Sequence, residues 1–236
     1  MAPSAVRAAV KIGDIEVLAV RDGVGTEVAV DILSVGPFDD GKYRGGRLLD
    51  SLVEAGVSPG DVTDVVFTHL HFDHIGWASV DDKPMFPRAT CRAHRADWEH
   101  FVSGEHADPA AVAELTPLAD GDRLELFDGD FTLAPGIDAL HLPGHTPGTT
   151  VYVVSVAGRR VLLGDVAHSL VQFSERDWQV IWDVDPAAAS AVRNRIADEA
   201  ADTDDLLVAA HFRDMRLACR LTPEGYQGSD AVSEPG

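Results

Sequence analysis

Thr68-His69-Leu70-His71-Phe72-Asp73-His74 places three imidazoles and one carboxylate within six residues, directly behind the apolar run Val65-Val66-Phe67. A β-branched run that stops at a polar cluster reads as a buried strand handing its C-terminal loop to a site. His69 and His71, two apart, point the same way only where the chain is extended or sharply turned. Asp73 and His74 fall on the next turn of backbone and face a second position, so the spacing suits two neighbouring metals better than one. Imidazole and carboxylate without a nearby thiolate favour zinc, iron or manganese over calcium or a structural zinc knot. Left unpaired in a protein interior, the same four groups would be costly.

Working outward, Leu48, Leu49, Leu52 and Val53 repeat at helical spacing, Gly56 follows as a terminator, and Pro59-Gly60-Asp61 turns the chain into a strand over residues 64–68. Further upstream, β-branched residues alternate with polar ones over 15–20 and 27–32 around Arg21-Asp22-Gly23-Val24-Gly25, which predicts a hairpin, and residues 37–42 form a turn-rich loop. Downstream, residues 90–93 predict a short strand and 94–102 a helix. His94, His100 and His106 fall in this region and read as surface residues outside the cluster. Asp108 and Pro109 supply an N-cap and first helical residue for a turn or two reaching Leu115.

From Arg123 the apolar period becomes two, through Leu124, Leu126, Phe131, Leu133, Ile137, Ala139 and Leu140, which predicts a run of antiparallel strands. That run ends in a second polar loop, His141-Leu142-Pro143-Gly144-His145-Thr146-Pro147-Gly148. A hairpin over 151–156 and 160–163 ends in Gly164-Asp165, which offers a carboxylate in the same layer as the preceding loops. Asp185-Pro186 opens the clearest helix, to about Ala201, and an apolar strand over 206–210 ends at His211. The Gly/Ser/Glu/Pro-rich segment from about 222 to 236 reads as a loose tail.

Composition bounds the function classes. The 236 residues contain no Pro/Gly/Ser-rich linker or composition break, so 1–236 reads as a single domain. Nineteen basic against 39 acidic residues leave a net charge of −20, which repels nucleic acid and anionic membrane over long range. Two cysteines, Cys91 and Cys219, lie far apart without CxxC spacing, so neither a disulfide framework nor a thiolate metal site is expected. No apolar run has the length of a signal peptide core or a membrane span, and the expected location is the cytoplasm.

Four strand ends therefore present polar residues: His69/His71/Asp73/His74, His145, Asp165 and His211. Their order, H-x-H-x-D-H followed by His, Asp and His, resembles the metallo-β-lactamase fold superfamily from about Leu48 to His211. The resemblance implies an α+β fold, a four-layered αβ/βα sandwich with a binuclear site at one edge. It assigns His69, His71 and His145 to one metal, Asp73, His74 and His211 to the other, and Asp165 to the bridge. The implied cofactors are two divalent ions per chain, zinc first, with iron, manganese or cobalt as alternatives. Asp73 and Asp165 supply two negative charges toward two dications, and a metal-bound hydroxide supplies a third and acts as nucleophile near neutral pH. The same resemblance gives Asp73 a catalytic role, taking a proton from that hydroxide and handing it to the leaving group.

Leu142 to Gly148, Gly164-Asp165-Val166-Ala167-His168 and Trp182-Asp183-Val184-Asp185-Pro186 with Arg193 are similar to the branch of N-acyl-homoserine lactonases and methyl-parathion-type hydrolases. Two features depart from that branch: residues 30–37 replace a longer strand pair with an Asp-Thr-Gly turn, and Thr149 stands where a second His of the H-T-P-G-H loop is usual. Phe72, Trp178 and Phe212 are the expected apolar pocket walls, with His168 on the substrate side. The expected activity is hydrolysis of a lactone or ester carbonyl in a small molecule with an apolar part. Alternatives are an organophosphate triesterase, a glyoxalase II-like thioesterase, a β-lactamase and, from another class, a di-iron redox protein. A homodimer is left open.

Overall fold

The computed structural model describes residues 9–12, 14–18, 47–156, 159–201, 203, 205–212, 219–222 and 225–228. It opens with strands β1 (Ala9–Ile12) and β2 (Ile15–Leu18) and helix α1 (Leu48–Glu54). Strand β3 (Asp64–Val66) leads to the single helical turn α2 (Phe72–Ile75), the short ribbon β4 (Ser79–Val80) and β5 (Lys83–Pro84), and β6 (Thr90–His94). Helix α3 (Arg95–Trp98) runs into a π-helical turn, Glu99–Ser103, and is followed by α4 (Pro109–Asp120) and β7 (Leu124–Phe127). The second half contains β8 (Phe131–Ala134), β9 (Ile137–His141), β10 (Thr150–Val156), β11 (Arg159–Leu163), α5 (Pro186–Ala200), β12 (Leu206–Val208), β13 (Cys219–Thr222) and β14 (Gly225–Gly228).

These strands form two large sheets of different character. The first, ordered β3-β6-β7, is entirely parallel, and the second, ordered β14-β13-β12-β11-β10-β9-β8, is antiparallel except for the β11/β12 pair. Parallel neighbours need crossovers, which the segments around α2 and α3–α4 supply. Leu124–Phe127 therefore does not open the antiparallel run expected from its period-two pattern. It pairs parallel with Thr90–His94, because α4 returns the chain to the start of the first sheet. Alternation records that one face is buried but does not name the partner strand.

Each sheet buries one face against helices. Leu115 and Leu118 of α4, with Ala111, pack on Phe67, Leu70, Cys91 and Ala93, and full burial of each leucine contributes roughly 1.5–3 kcal/mol. On the other side, Ile196 and Ala200 of α5 pack on Val151, Val153 and Leu207. The opposite faces of the sheets meet where the Tyr152 hydroxyl donates to Phe67 O at 3.1 Å and Thr150 N donates to Thr68 O at 2.8 Å. The order helix, sheet, sheet, helix is the expected αβ/βα sandwich, and residues 150–154 are buried throughout because both of their faces are covered.

The helix caps are local chemistry. Asp108 accepts from Ala110 N at 2.8 Å and Asp185 from Ala188 N at 3.0 Å, each with proline next in sequence. Gly144 has φ +155, and a Cβ there would lie 2.5 Å from Ala189 N, so only glycine lets the His145 loop rest on the start of α5.

Residues 27–32, the expected hairpin partner of 15–20, and the 37–42 loop lie outside the described residues, and Ile15–Leu18 pairs with Ala9–Ile12. Two expectations change. Gly225–Gly228, expected within a loose tail, is an edge strand on Cys219–Thr222. His94 is 7% exposed and not a surface residue: it ends β6, and its ring nitrogens each lie 3.2 Å from a backbone N, of Ala96 and of Gly129, one of which the neutral ring can accept from. No described helix is long and apolar enough to cross a membrane.

Candidate metal centre

The carboxyl ends of β3, β9, β11 and β12 converge, and each delivers part of one cluster. His69 and His71 lie in the loop after β3, Asp73 and His74 on α2, His145 after β9, Asp165 after β11 and His211 after β12. The potential ligand atoms fall into overlapping groups within 4.8 Å of one another: His69/His71/His145, His69/His74/Asp165, Asp73/His74/His211 and His145/Asp165/His168. All seven residues expected as ligands are thus brought together. His168 joins them.

The donor chemistry of the cluster fits cations. His145 Nδ1 lies 2.8 Å from Asp183 Oδ1, a pairing that puts the ring proton on Nδ1 and leaves Nε2 as a lone pair. That Nε2 is 3.2 Å from His69 Nε2, while His69 Nδ1 is 3.1 Å from Thr68 Oγ1. Two imidazole lone pairs thereby aim into one space. Asp165 is harder still to account for with protein partners alone. Its side chain is 1% exposed, neither oxygen has a hydrogen-bond partner, and five imidazole Nε2 atoms surround Oδ2: His168 and His211 at 3.3 Å, His74 at 3.5 Å, His145 at 3.8 Å and His69 at 3.9 Å. A buried carboxylate without donors is costly unless a positive charge balances it.

Burial keeps three of the imidazoles neutral and available as ligands. Burial, then the neighbouring His74, hold His69 well below the usual histidine range; burial and His145 bring His71 to about 3; burial brings His168 to about 4 against the pull of Asp165. For Asp165, burial works against the charge, but His168 and His211 outweigh it and hold the carboxyl well below its ordinary range. Exposure is graded across the cluster: the side chains of His69 and Asp165 are sealed, whereas those of Asp73 and His211 are 28% and 32% exposed. Asp73 and His211 are therefore the more solvent-accessible members of the cluster.

A cavity of about 60 Å³ opens here, lined by His69, His71, Phe72, Asp73, His145, Asp165, His168 and Trp182. Phe72 is 53% exposed at its rim. Phe212, expected as a pocket wall, instead sits 5% exposed in the core with Val151, Ala167 and Leu207, because the residue after His211 turns back under β12. Trp178 is 43% exposed and lies off the cavity; its carbonyl, not its ring, is engaged, accepting from Arg193 Nη2 at 2.6 Å. Trp182 takes the wall position.

Asp183, quoted from the sequence only as part of a motif, has a role at the site that its sequence context did not assign. Its Oδ2 accepts from Val180 N at 3.1 Å while Oδ1 holds His145, so a loop carboxylate fixes the histidine's orientation from behind. A carboxylate between Trp182 and Val184 was the available signal, but nothing in its spacing pointed 38 residues back.

The family model of the metallo-beta-lactamase superfamily matches residues 37–211. The chain belongs to the metallo-β-lactamase superfamily. It is a hydrolase of that superfamily, with a His/Asp cluster able to bind metal. A human metallo-beta-lactamase domain-containing protein 1 is 32% identical over 224 residues, 91% of this chain and 73% of the relative. An N-acyl homoserine lactonase of a Bacillus species is 23% identical over 180 residues, 75% of this chain and 67% of the relative. Among solved structures, the beta-lactamase superfamily hydrolase AbOPH aligns with TM-score 0.83 at 18% identity, over 97% of this chain and 98% of its own. AidC, described as a dizinc quorum-quenching lactonase, aligns with TM-score 0.80 at 21% identity, again over 97% and 98%. These structural likenesses carry the fold.

Proposed function

We propose that this superfamily member is a two-metal hydrolase that opens lactones or cleaves esters carrying an apolar group. The reading rests on one observation above others: the buried carboxylate of Asp165, whose oxygens have no hydrogen-bond partner, lies between two sets of nitrogen and oxygen ligands, one more buried and one more exposed. His69, His71 and His145 would hold one ion, Asp73, His74 and His211 the other, and Asp165 would face both. Nitrogen and oxygen donors without sulfur favour zinc, with iron, manganese or cobalt as substitutes. Bound there, such ions supply a water of lowered pKa and polarise a carbonyl oxygen.

The chain's own residues do the rest. Asp73 Oδ2, 3.4 Å from His211 Nε2 and part-exposed at the cavity, is placed to hold a proton and pass it to a departing alkoxide. His168, stacked on His211 at 4.8 Å and lining the same cavity, presents its ring on the substrate side. The cavity, about 60 Å³, is far smaller than the roughly 300–1,000 Å³ that encloses a whole drug-sized ligand. It admits the reacting group and leaves the apolar part against Phe72 and Trp182. The lactonase relatives support the same substrate class at low identity.

The test is a comparison of kcat/KM on one metal-loaded batch across an acyl-homoserine lactone, a γ-lactone, an aryl ester, an aryl phosphotriester, a glutathione thioester and a penicillin. Lactones and aryl esters are expected to lead. A penicillin or thioester rate about tenfold above every lactone and ester would overturn the substrate class.

A further inference from the structure

Asp97 stands outside the cluster, yet both ligand-bearing loops close on it. It lies in α3, directly after β6, and is 1% exposed. Its Oδ2 accepts from Leu70 N at 3.0 Å, the residue between His69 and His71, and from Thr146 Oγ1 at 2.9 Å, the residue after His145. Its Oδ1 accepts from Gly148 N at 2.6 Å. One carboxylate thus takes three donors, one from the loop of the first sheet and two from the loop of the second.

We infer that Asp97 is a positioning residue that sets the separation of the His69/His71 pair from His145 and thereby the affinity of the more buried metal position. This rests on the two-metal reading above. The geometry supports it in three ways. The three donors satisfy a buried charge that has no other reason to be there, since no basic side chain is among its hydrogen-bond partners. The donors are backbone groups and a hydroxyl locked by Thr149 Oγ1, which lies 2.7 Å from Thr146 N and 2.9 Å from Thr146 Oγ1, so the carboxylate fixes main chain rather than a mobile side chain. The packing leaves no slack: a Cβ on Gly148 would lie 2.7 Å from Asp97 Cγ, so glycine is what lets the loop reach the carboxylate. The open ligands Asp73 and His211 receive nothing from Asp97 in this network, and the effect is expected on one metal and not on the other.

The substitution Asp97→Asn keeps the volume but replaces one acceptor with an amide donor, which then faces either Leu70 N or Gly148 N, so one loop must move. Gly148→Ala displaces the carboxylate from the opposite side and leaves Asp97 itself intact. Both proteins and the parent would be stripped, titrated with Zn²⁺ against a chromophoric chelator, and unfolded by urea in the metal-free state. The expected result is a loss of about 10–100-fold in affinity for the tighter zinc in both variants, the weaker zinc moving less than about threefold, and a double variant less than additive. If Asp97→Asn does not fold, Gly148→Ala alone decides. Lowered metal-free stability with both zinc affinities within about twofold of the parent would reduce Asp97 to packing and overturn the inference alone. A parent that binds no zinc would overturn the metal-centre reading and this inference with it.

Discussion

Asp183→Asn tests whether the loop after Asp165 governs the chemistry of His145. In the parent, the Asp183 side chain is 3% exposed and its two oxygens are divided, Oδ1 to His145 Nδ1 at 2.8 Å and Oδ2 to Val180 N at 3.1 Å. Asparagine can keep one of these bonds as a neutral one and must turn its amide toward the other donor. Replacing a charged with a neutral hydrogen bond costs about 1 kcal/mol, and leaving Val180 N unpaired costs at least about 1 more. Together, about 2 kcal/mol corresponds to about 30-fold in an equilibrium constant. That figure falls inside the 10–100-fold range seen when the partner of a metal-binding histidine is lost. The assay is zinc competition with a chelator at neutral pH, followed by kcat/KM for the best lactone at saturating zinc. Affinity within about twofold of the parent would refute the claim that Asp183 orients His145.

Asp165→Ala should lose metal and activity together, since it removes the carboxylate that five imidazoles surround, whereas His106→Ala, at an exposed position beside His100, should change neither; elemental analysis and turnover on the same samples check both. Metal-free protein should lose stability on acidification through His94. Its folded-state value is about 4, held down by burial and the His141 ring, against an unfolded value near 6.5, so the unfolded chain takes up the proton first. Stability present above about pH 6.5 is lost as the pH falls toward about 4. Urea midpoints between pH 7.5 and 4.5 should fall less steeply in His94→Asn than in the parent, and parallel slopes would sink the assignment.

The cluster was legible because its chemistry is concentrated: four candidate ligands within six residues follow directly on an apolar strand whose last residue, Phe67, is buried. His145, Asp165 and His211 were readable for a related reason, each closing an apolar run, so that strand ends marked the site before the strands had partners. What stayed hidden depends on contacts between distant segments. Asp97 and Asp183 carry no local signature, and their importance lies in donors 27 to 51 residues and 38 residues away. His94 looked like one more surface histidine until its ring nitrogens met Ala96 N and Gly129 N. Leu124–Phe127 shows the same limit in the fold, since its alternation gave a buried face but the parallel partner came from the return path of α4. Phe212 was misplaced because adjacency to a ligand says little about the other face of the chain, which there belongs to the core.

The proposed hydrolase requires two metal ions between these loops. Elemental analysis of chelator-free protein, expressed with metal supplementation and normalised to chain concentration by amino-acid analysis, tests it most directly. About two transition-metal equivalents per chain, zinc foremost, is the expected value. A reproducible value near zero would contradict the account at its root.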